Sequence, residues 1–93
     1  MDMSNITECN AAGCAFNKDG RCHAIAVTIG SRESSCDTYL PGGKKGGLED
    51  VTAGVGACKM ANCMFNKSLE CTANGIKVAT HASHADCMTF RAR

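Results

Sequence analysis

The chain has no tryptophan, one proline and only four large aromatic residues, Phe16, Tyr39, Phe65 and Phe90. Large aromatic side chains carry much of the energy of a core, whereas Ala, Val and Cys, which supply much of the apolar fraction here, bury little area each. Hydrophobic burial alone therefore does not close this fold, and units of about 40 residues need a metal, disulfides or a partner to stay folded. Charge of one sign is also missing. Ten Lys and Arg face nine Asp and Glu for a net charge of +1, and neither sign forms a block of five. With no basic face and no stacking aromatics, a nucleic-acid partner is not expected. No run of about 20 apolar residues is available to span a membrane. The first eight residues lack the basic segment and apolar run of a secretory signal, so a cytoplasmic location is expected. No Ser/His/Asp set stands out, and Gly42-Gly43 and Gly46-Gly47 lack the strand and helix that a phosphate-binding loop needs. The expectation is a non-enzymatic protein.

What is abundant is cysteine, with eight in 93 residues. In a reducing compartment, clustered thiols more often ligate metal than cross-link one another.

The cysteines also expose a duplication. A shift of 49 residues superimposes Cys9, Cys14 and Cys22 on Cys58, Cys63 and Cys71. The same shift places Ala12 on Ala61, Phe16-Asn17-Lys18 on Phe65-Asn66-Lys67, and Ala24 on Ala73. Background usage would give roughly one such identity over this stretch, so the chain is an internal repeat. Val27 and Ile29 then correspond to Ile76 and Val78. A two-residue insertion moves the offset to 51, where Cys36-Asp37-Thr38-Tyr39 meets Cys87-Met88-Thr89-Phe90. The expected organisation is a first four-cysteine unit over residues 1–40, a glycine-rich flexible linker over 41–54 and a second unit over 55–93.

Locally, Phe16-Asn17-Lys18-Asp19-Gly20-Arg21-Cys22 predicts a tight hairpin, with a type I turn at Asn-Lys-Asp and Gly20 free to take positive φ. Ala24 to Ile29 predicts a strand with Val27 and Ile29 on its covered face. The second copy repeats this pattern but has Leu69 in place of Gly20. A side chain at positive φ costs about 1 kcal/mol, so a differently shaped turn is expected there. Asn10 to Gly13 reads as one helical turn or a loop. The fold class expected is small, metal-stabilised and mostly irregular, with short β-hairpins in two repeated four-cysteine units.

Zinc takes four soft or borderline ligands in a tetrahedron, and a structural site closes all four positions with protein groups. Four cysteines per unit meet that count: Cys9, Cys14, Cys22 and Cys36 in one site, and Cys58, Cys63, Cys71 and Cys87 in the other. Such a clip draws together distant chain that buries too little apolar surface. Two zinc ions are expected, and iron is the alternative metal. With all eight thiols ionised and two divalent ions bound, the formal charge becomes +1 − 8 + 4 = −3. Lys18, Arg21, Lys59 and Lys67 lie close enough in sequence to offset a tetrathiolate, although ordinary solvated cations are the commoner reading.

His23, His81 and His84 are the other candidate ligands, but His23 aligns with Thr72, and the other two lack histidine counterparts. Exposed loop positions are expected for them, with Cys3His coordination in the second unit the exception. Met60, Met64 and Met88 neighbour second-copy cysteines, where thioether and thiolate together would suit Cu(I). Their counterparts are Ala11, Ala15 and Asp37, so gap-filling packing is expected instead. The non-metal alternative is a disulfide-stapled structural protein of a spore or envelope layer. A third class is metal handling, or electron transfer by an iron tetrathiolate.

The pattern Cys9-x4-Cys14-x-Phe16-Asn17-x2-Gly20-x-Cys22-x-Ala24, continued by Val27/Ile29 and Cys36-x-Thr38-Tyr39, resembles the bacterial four-cysteine family catalogued as domain of unknown function fifteen-forty. The resemblance covers about residues 6–40. It extends to about 55–91, where the glycine before the third cysteine is missing. It implies a small bacterial domain, occurring once or twice per chain and presumed to bind metal, with no established activity. The resemblance adds nothing about biological role; the leading expectation, from the cysteine sites, is a zinc module presenting a surface to a protein partner.

Overall fold

The computed structural model describes residues 3–30, 34–42, 45–81 and 84–93, apart from the side chain of His81. Each repeat begins with a strand, β1 (Ile6–Cys9) in the first and β5 (Gly54–Cys58) in the second. A hairpin of two-residue strands follows in each: β2 (Asn17–Lys18) with β3 (Arg21–Cys22), and β6 (Asn66–Lys67) with β7 (Glu70–Cys71). Then come β4 (Ala26–Ile29) in the first repeat and β8 (Ile76–His81) in the second, the latter continuing into β9 (His84–Cys87).

The hairpins form where the sequence places them, but their turns are tighter than a type I turn at Asn-Lys-Asp. Lys18 pairs with Arg21, leaving Asp19 and Gly20 as a two-residue loop with φ of 56° and 81°. Positive φ at both central residues is the type I′ geometry, whose twist matches that of the flanking strands. The second hairpin has the same shape, with Ser68 at 54° and Leu69 at 67°. The different turn expected from Leu69 is not formed. Leu69 accepts left-handed backbone, and its N–H donates to Asn66 Oδ1 at 3.1 Å. A local side-chain acceptor of this kind offsets part of the steric cost. Asn10 to Gly13 is a turn, with Cys14 N–H bonded to Ala11 O.

β8 pairs antiparallel with β9 inside the second repeat, with Val78 opposite Cys87, but the other pairings of the longer strands cross between repeats. β1 runs parallel to β8, with Ile6 opposite Ile76 and Cys9 opposite Val78. β4 runs parallel to β5, with Val27 opposite Val55 and Ile29 opposite Cys58. Under the 49-residue shift these two pairings become each other, and both carry a register irregularity at the same place. The first strand of each repeat thus pairs with the fourth strand of the other, an exchange about a pseudo-twofold axis. Two bridges join a residue to its own equivalent: Asn5 to Gly54, and Ser35 to Asp86. These pairs mark that axis.

One core results rather than two. Ile6, Val27, Ile29, Val55, Ile76 and Val78 are all buried in a single cluster, three from each repeat, together with Cys9, Cys14, Cys22 and Cys58, and with Cys36, Cys71 and Cys87 packed against it. The radius of gyration of 12.0 Å is that of one domain of this length and not of two units on a tether. Alternating burial along β4 puts Val27 and Ile29 inward, as their spacing predicts. Among its described residues, the segment expected to be a flexible linker is exposed up to Asp50 but is tied down by backbone hydrogen bonds. Gly46 N–H donates to Ala15 O and Leu48 N–H to His23 O, while Ala53 is fully buried and gives its N–H to Cys22 O. The glycines allow this close approach. A Cβ on Gly47, whose φ is +93°, would lie 2.7 Å from the His23 carbonyl oxygen. Among the described residues no helix is long and apolar enough to cross a membrane.

Candidate metal centres

The exchange decides what surrounds each cysteine quartet. Cys9 ends β1, Cys22 ends β3, Cys14 sits in the turn between β1 and β2, and Cys36 returns beyond β4. All four line one cavity of about 10 Å³, closed by Ile6, Phe16, Val27 and Tyr39 from the same repeat and by Val78 and Ala85 from the other. Cys58, Cys63, Cys71 and Cys87 line a second cavity of about 20 Å³. Val55, Phe65, Ile76 and Phe90 close it from the same repeat, with Ile29 and Ser34 from the other. Each space is the size of one atom or one water. Each cavity is thus lined by the four cysteines of one repeat.

All eight cysteines are free thiols. Cys9, Cys14, Cys22, Cys58 and Cys63 are buried, and Cys36, Cys71 and Cys87 are partly so. Among the described residues no group of three or more His, Cys, Asp or Glu stands in an arrangement that would itself hold a metal ion.

The electrostatics act in two directions. Burial pushes the Cys36 thiol up to about 11 from an ordinary 9.0, against backbone N–H groups of Thr38 and Tyr39 that favour the thiolate, with Cys22 and Cys14 adding to the rise. Burial raises Cys87 as well, opposed by the N–H groups of Thr89 and Phe90. It also raises Cys22, opposed by Ala24 N–H. A cysteine followed by chain that turns its next amides onto the sulfur is a site built to carry negative charge, and an apolar wall resists that charge unless a cation accompanies it. The donor set, four thiols around an atom-sized space with amides aimed at three of the eight sulfurs, fits a soft or borderline divalent ion.

Several surrounding groups are not those the sequence singled out. Asn17 and Asn66 are buried and donate Nδ2–H to the carbonyls of Cys9 and Cys58 at 2.7 and 2.8 Å. Each ties its hairpin to the first cysteine of its quartet. Their repetition at the 49-residue offset was the available signal. Cations reach the second cysteine of each quartet through its carbonyl: Lys45 Nζ donates to Cys14 O at 3.3 Å, and Arg93 Nε to Cys63 O at 3.0 Å. Both lie outside the repeat identities, which is why sequence comparison passed over them. Lys18, by contrast, pairs with exposed Glu49 at 3.2 Å, and such a surface pair contributes little. Arg21, Lys59 and Lys67 are exposed.

No histidine lines either cavity among the described residues. His23 Nδ1 bonds Leu48 O at 3.2 Å, and His84 Nδ1 lies 2.8 Å from Asp86 Oδ1. The His81 side chain falls outside the described residues. Of the methionines, Met60 lines the second cavity and packs against Gly30, as gap filling predicts. Met64 and Met88 do not fill gaps. They are 56% and 61% exposed, each immediately after its cysteine in the chain.

Comparison with known proteins gives one family and matches it twice. The model described as Domain of Unknown Function (DUF1540) covers residues 7–39 and again 57–90. The same comparison with curated proteins and with solved structures gave no match. Both matched segments run from the first strand of a repeat past its fourth cysteine, and together they span most of the sequence, so the chain belongs to the DUF1540 family as a tandem duplication.

Proposed function

We propose that the protein is a non-enzymatic metal-binding module in which each quartet holds one structural zinc ion and the metal fixes a surface presented to a protein partner. The observation that carries this reading is the gathering of four cysteines, from four separate segments, around one atom-sized cavity in each half. Cys9, Cys14, Cys22 and Cys36 would hold one ion, and Cys58, Cys63, Cys71 and Cys87 the other. A bound divalent ion supplies the positive charge that lets buried thiols ionise, and its binding energy adds to folding. With all four positions taken by protein, such a site leaves none for water or substrate, which is why no reaction is assigned.

Elemental analysis of protein purified under reducing, metal-replete conditions tests the proposal. Two equivalents of zinc are expected. Fewer than two equivalents of any metal would count against it, and two of iron, visible as colour and charge-transfer absorbance, would keep the sites and change the ion.

A further inference from the structure

Neither quartet is built by its own repeat alone. The fourth cysteine of each is held by the other repeat: Cys36 N–H donates to Ala85 O at 2.7 Å, and Cys87 N–H donates to Ser34 O at 2.8 Å. Ser34 Oγ also donates to Cys87 O at 3.1 Å. The first cysteine of each quartet ends the strand that crosses over, with Cys9 opposite Val78 and Cys58 opposite Ile29. Just beyond, Asn10 N–H bonds Val78 O and Lys59 N–H bonds Ile29 O.

From this exchange we propose that the two sites load as a coupled pair, the first ion raising the affinity of the second quartet. The proposal rests on the metal reading above. An ion at the first site fixes Cys9 and Cys36, and with them the β1–β8 pairing and the Ala85 carbonyl. Val78 and Ala85 belong to the strands that deliver Cys87 to the second site. The ordering needed to gather the second quartet is then already in place when its ion arrives, so less of the second binding energy is spent on it. The relation is reciprocal, because an affinity gain given by one site must be returned by the other. Ser34 and the residue 85 carbonyl act as positioning groups, reaching the metal only through the cysteines they hold.

Native mass spectrometry of the reduced full-length chain at one equivalent of zinc decides the matter. Coupled loading gives mainly the zinc-free and two-zinc forms. Independent sites of equal affinity put about half of the molecules in the one-zinc form, and independent sites of unequal affinity put more there. A one-zinc form at half or above means that any coupling is too small to outweigh the difference between the sites, which overturns loading as a pair. Zinc-free protein at every ratio overturns the metal reading and the coupling with it, a result distinct from the previous one. A second measurement uses Cys87→Ser, with zinc affinity at the first quartet read by chelator competition. The affinity is expected to fall by about tenfold or more, and an unchanged value would sink the proposal.

Discussion

Ile6 of the first repeat stands directly opposite Ile76 of the second in a parallel strand pair, and both are almost fully buried. The equivalent pair, Val27 and Val55, repeats the contact across the pseudo-twofold axis. These four side chains belong to a core that neither repeat could assemble from its own share. Separation of the two repeats would therefore expose apolar surface on both, together with unpaired strand edges. A protease site inserted after Gly42 checks this. The cleaved, reduced protein is expected to elute as one species of unchanged size, with fragments parting only in denaturant. Fragments that separate in native buffer would show that the exchange contributes little.

The buried asparagines allow a second prediction. Asn17 Nδ2 bonds the Cys9 carbonyl and Asn66 Nδ2 the Cys58 carbonyl, and removal of either side chain leaves a buried carbonyl without that donor. Loss of a partner to a buried polar group costs about 1–3 kcal/mol. Asn17→Ala and Asn66→Ala should each lower stability by that amount in urea unfolding of metal-free protein. A change below about 0.5 kcal/mol in both would mean that water replaces the amide.

These two predictions divide what was legible in the sequence from what was not. The duplication, the hairpins, the inward faces of Val27 and Ile29 and the division of the cysteines into four per repeat rest on local spacing, which the repeat displays twice. The pairing of β1 with β8 is non-local, and parallel pairing leaves no turn signature between its strands. Ile6 and Ile76 look the same in sequence whether they face their own repeat or the other. The segment around Gly47 misleads for a related reason: glycine serves equally for freedom and for close approach, and only the nearby His23 carbonyl distinguishes the two. Leu69 shows that a strained residue can be carried by a neighbour, since Asn66 Oδ1 receives its N–H.

Leu69 is accordingly a place where stability can be raised. It is 54% exposed, so little packing is lost when its side chain is removed, and its φ of 67° is one that glycine adopts freely. Left-handed backbone costs a side-chain-bearing residue about 1–2 kcal/mol, partly offset by the greater freedom of glycine in the unfolded chain. Leu69→Gly is expected to raise the midpoint of thermal unfolding by a few degrees, corresponding to about 0.5–1 kcal/mol. Gly20→Ala, at φ 81° in the equivalent turn, should act in the opposite direction. Shifts of the same sign in both variants would mean that backbone conformation does not govern these turns.

The pH response separates metal-free from metal-loaded protein. Burial holds the Cys36 thiol at about 11, above its ordinary 9.0, and raises Cys22 and Cys87 in the same direction. The folded chain therefore keeps these protons where the unfolded chain releases them. The stability this contributes is complete below about pH 9 and is lost as the pH climbs through about 11. Reduced, metal-free protein should thus unfold at lower urea concentrations as the pH is taken from 9 to 11. Zinc reverses the direction, because ligation requires thiolates and protons compete with the ion. Loaded protein should hold its stability through the alkaline range and lose zinc as the pH is lowered, with chelator competition reporting the release. The contrast itself is the test: parallel pH profiles for the two forms would mean that the thiols lining the cavities are not the groups that bind.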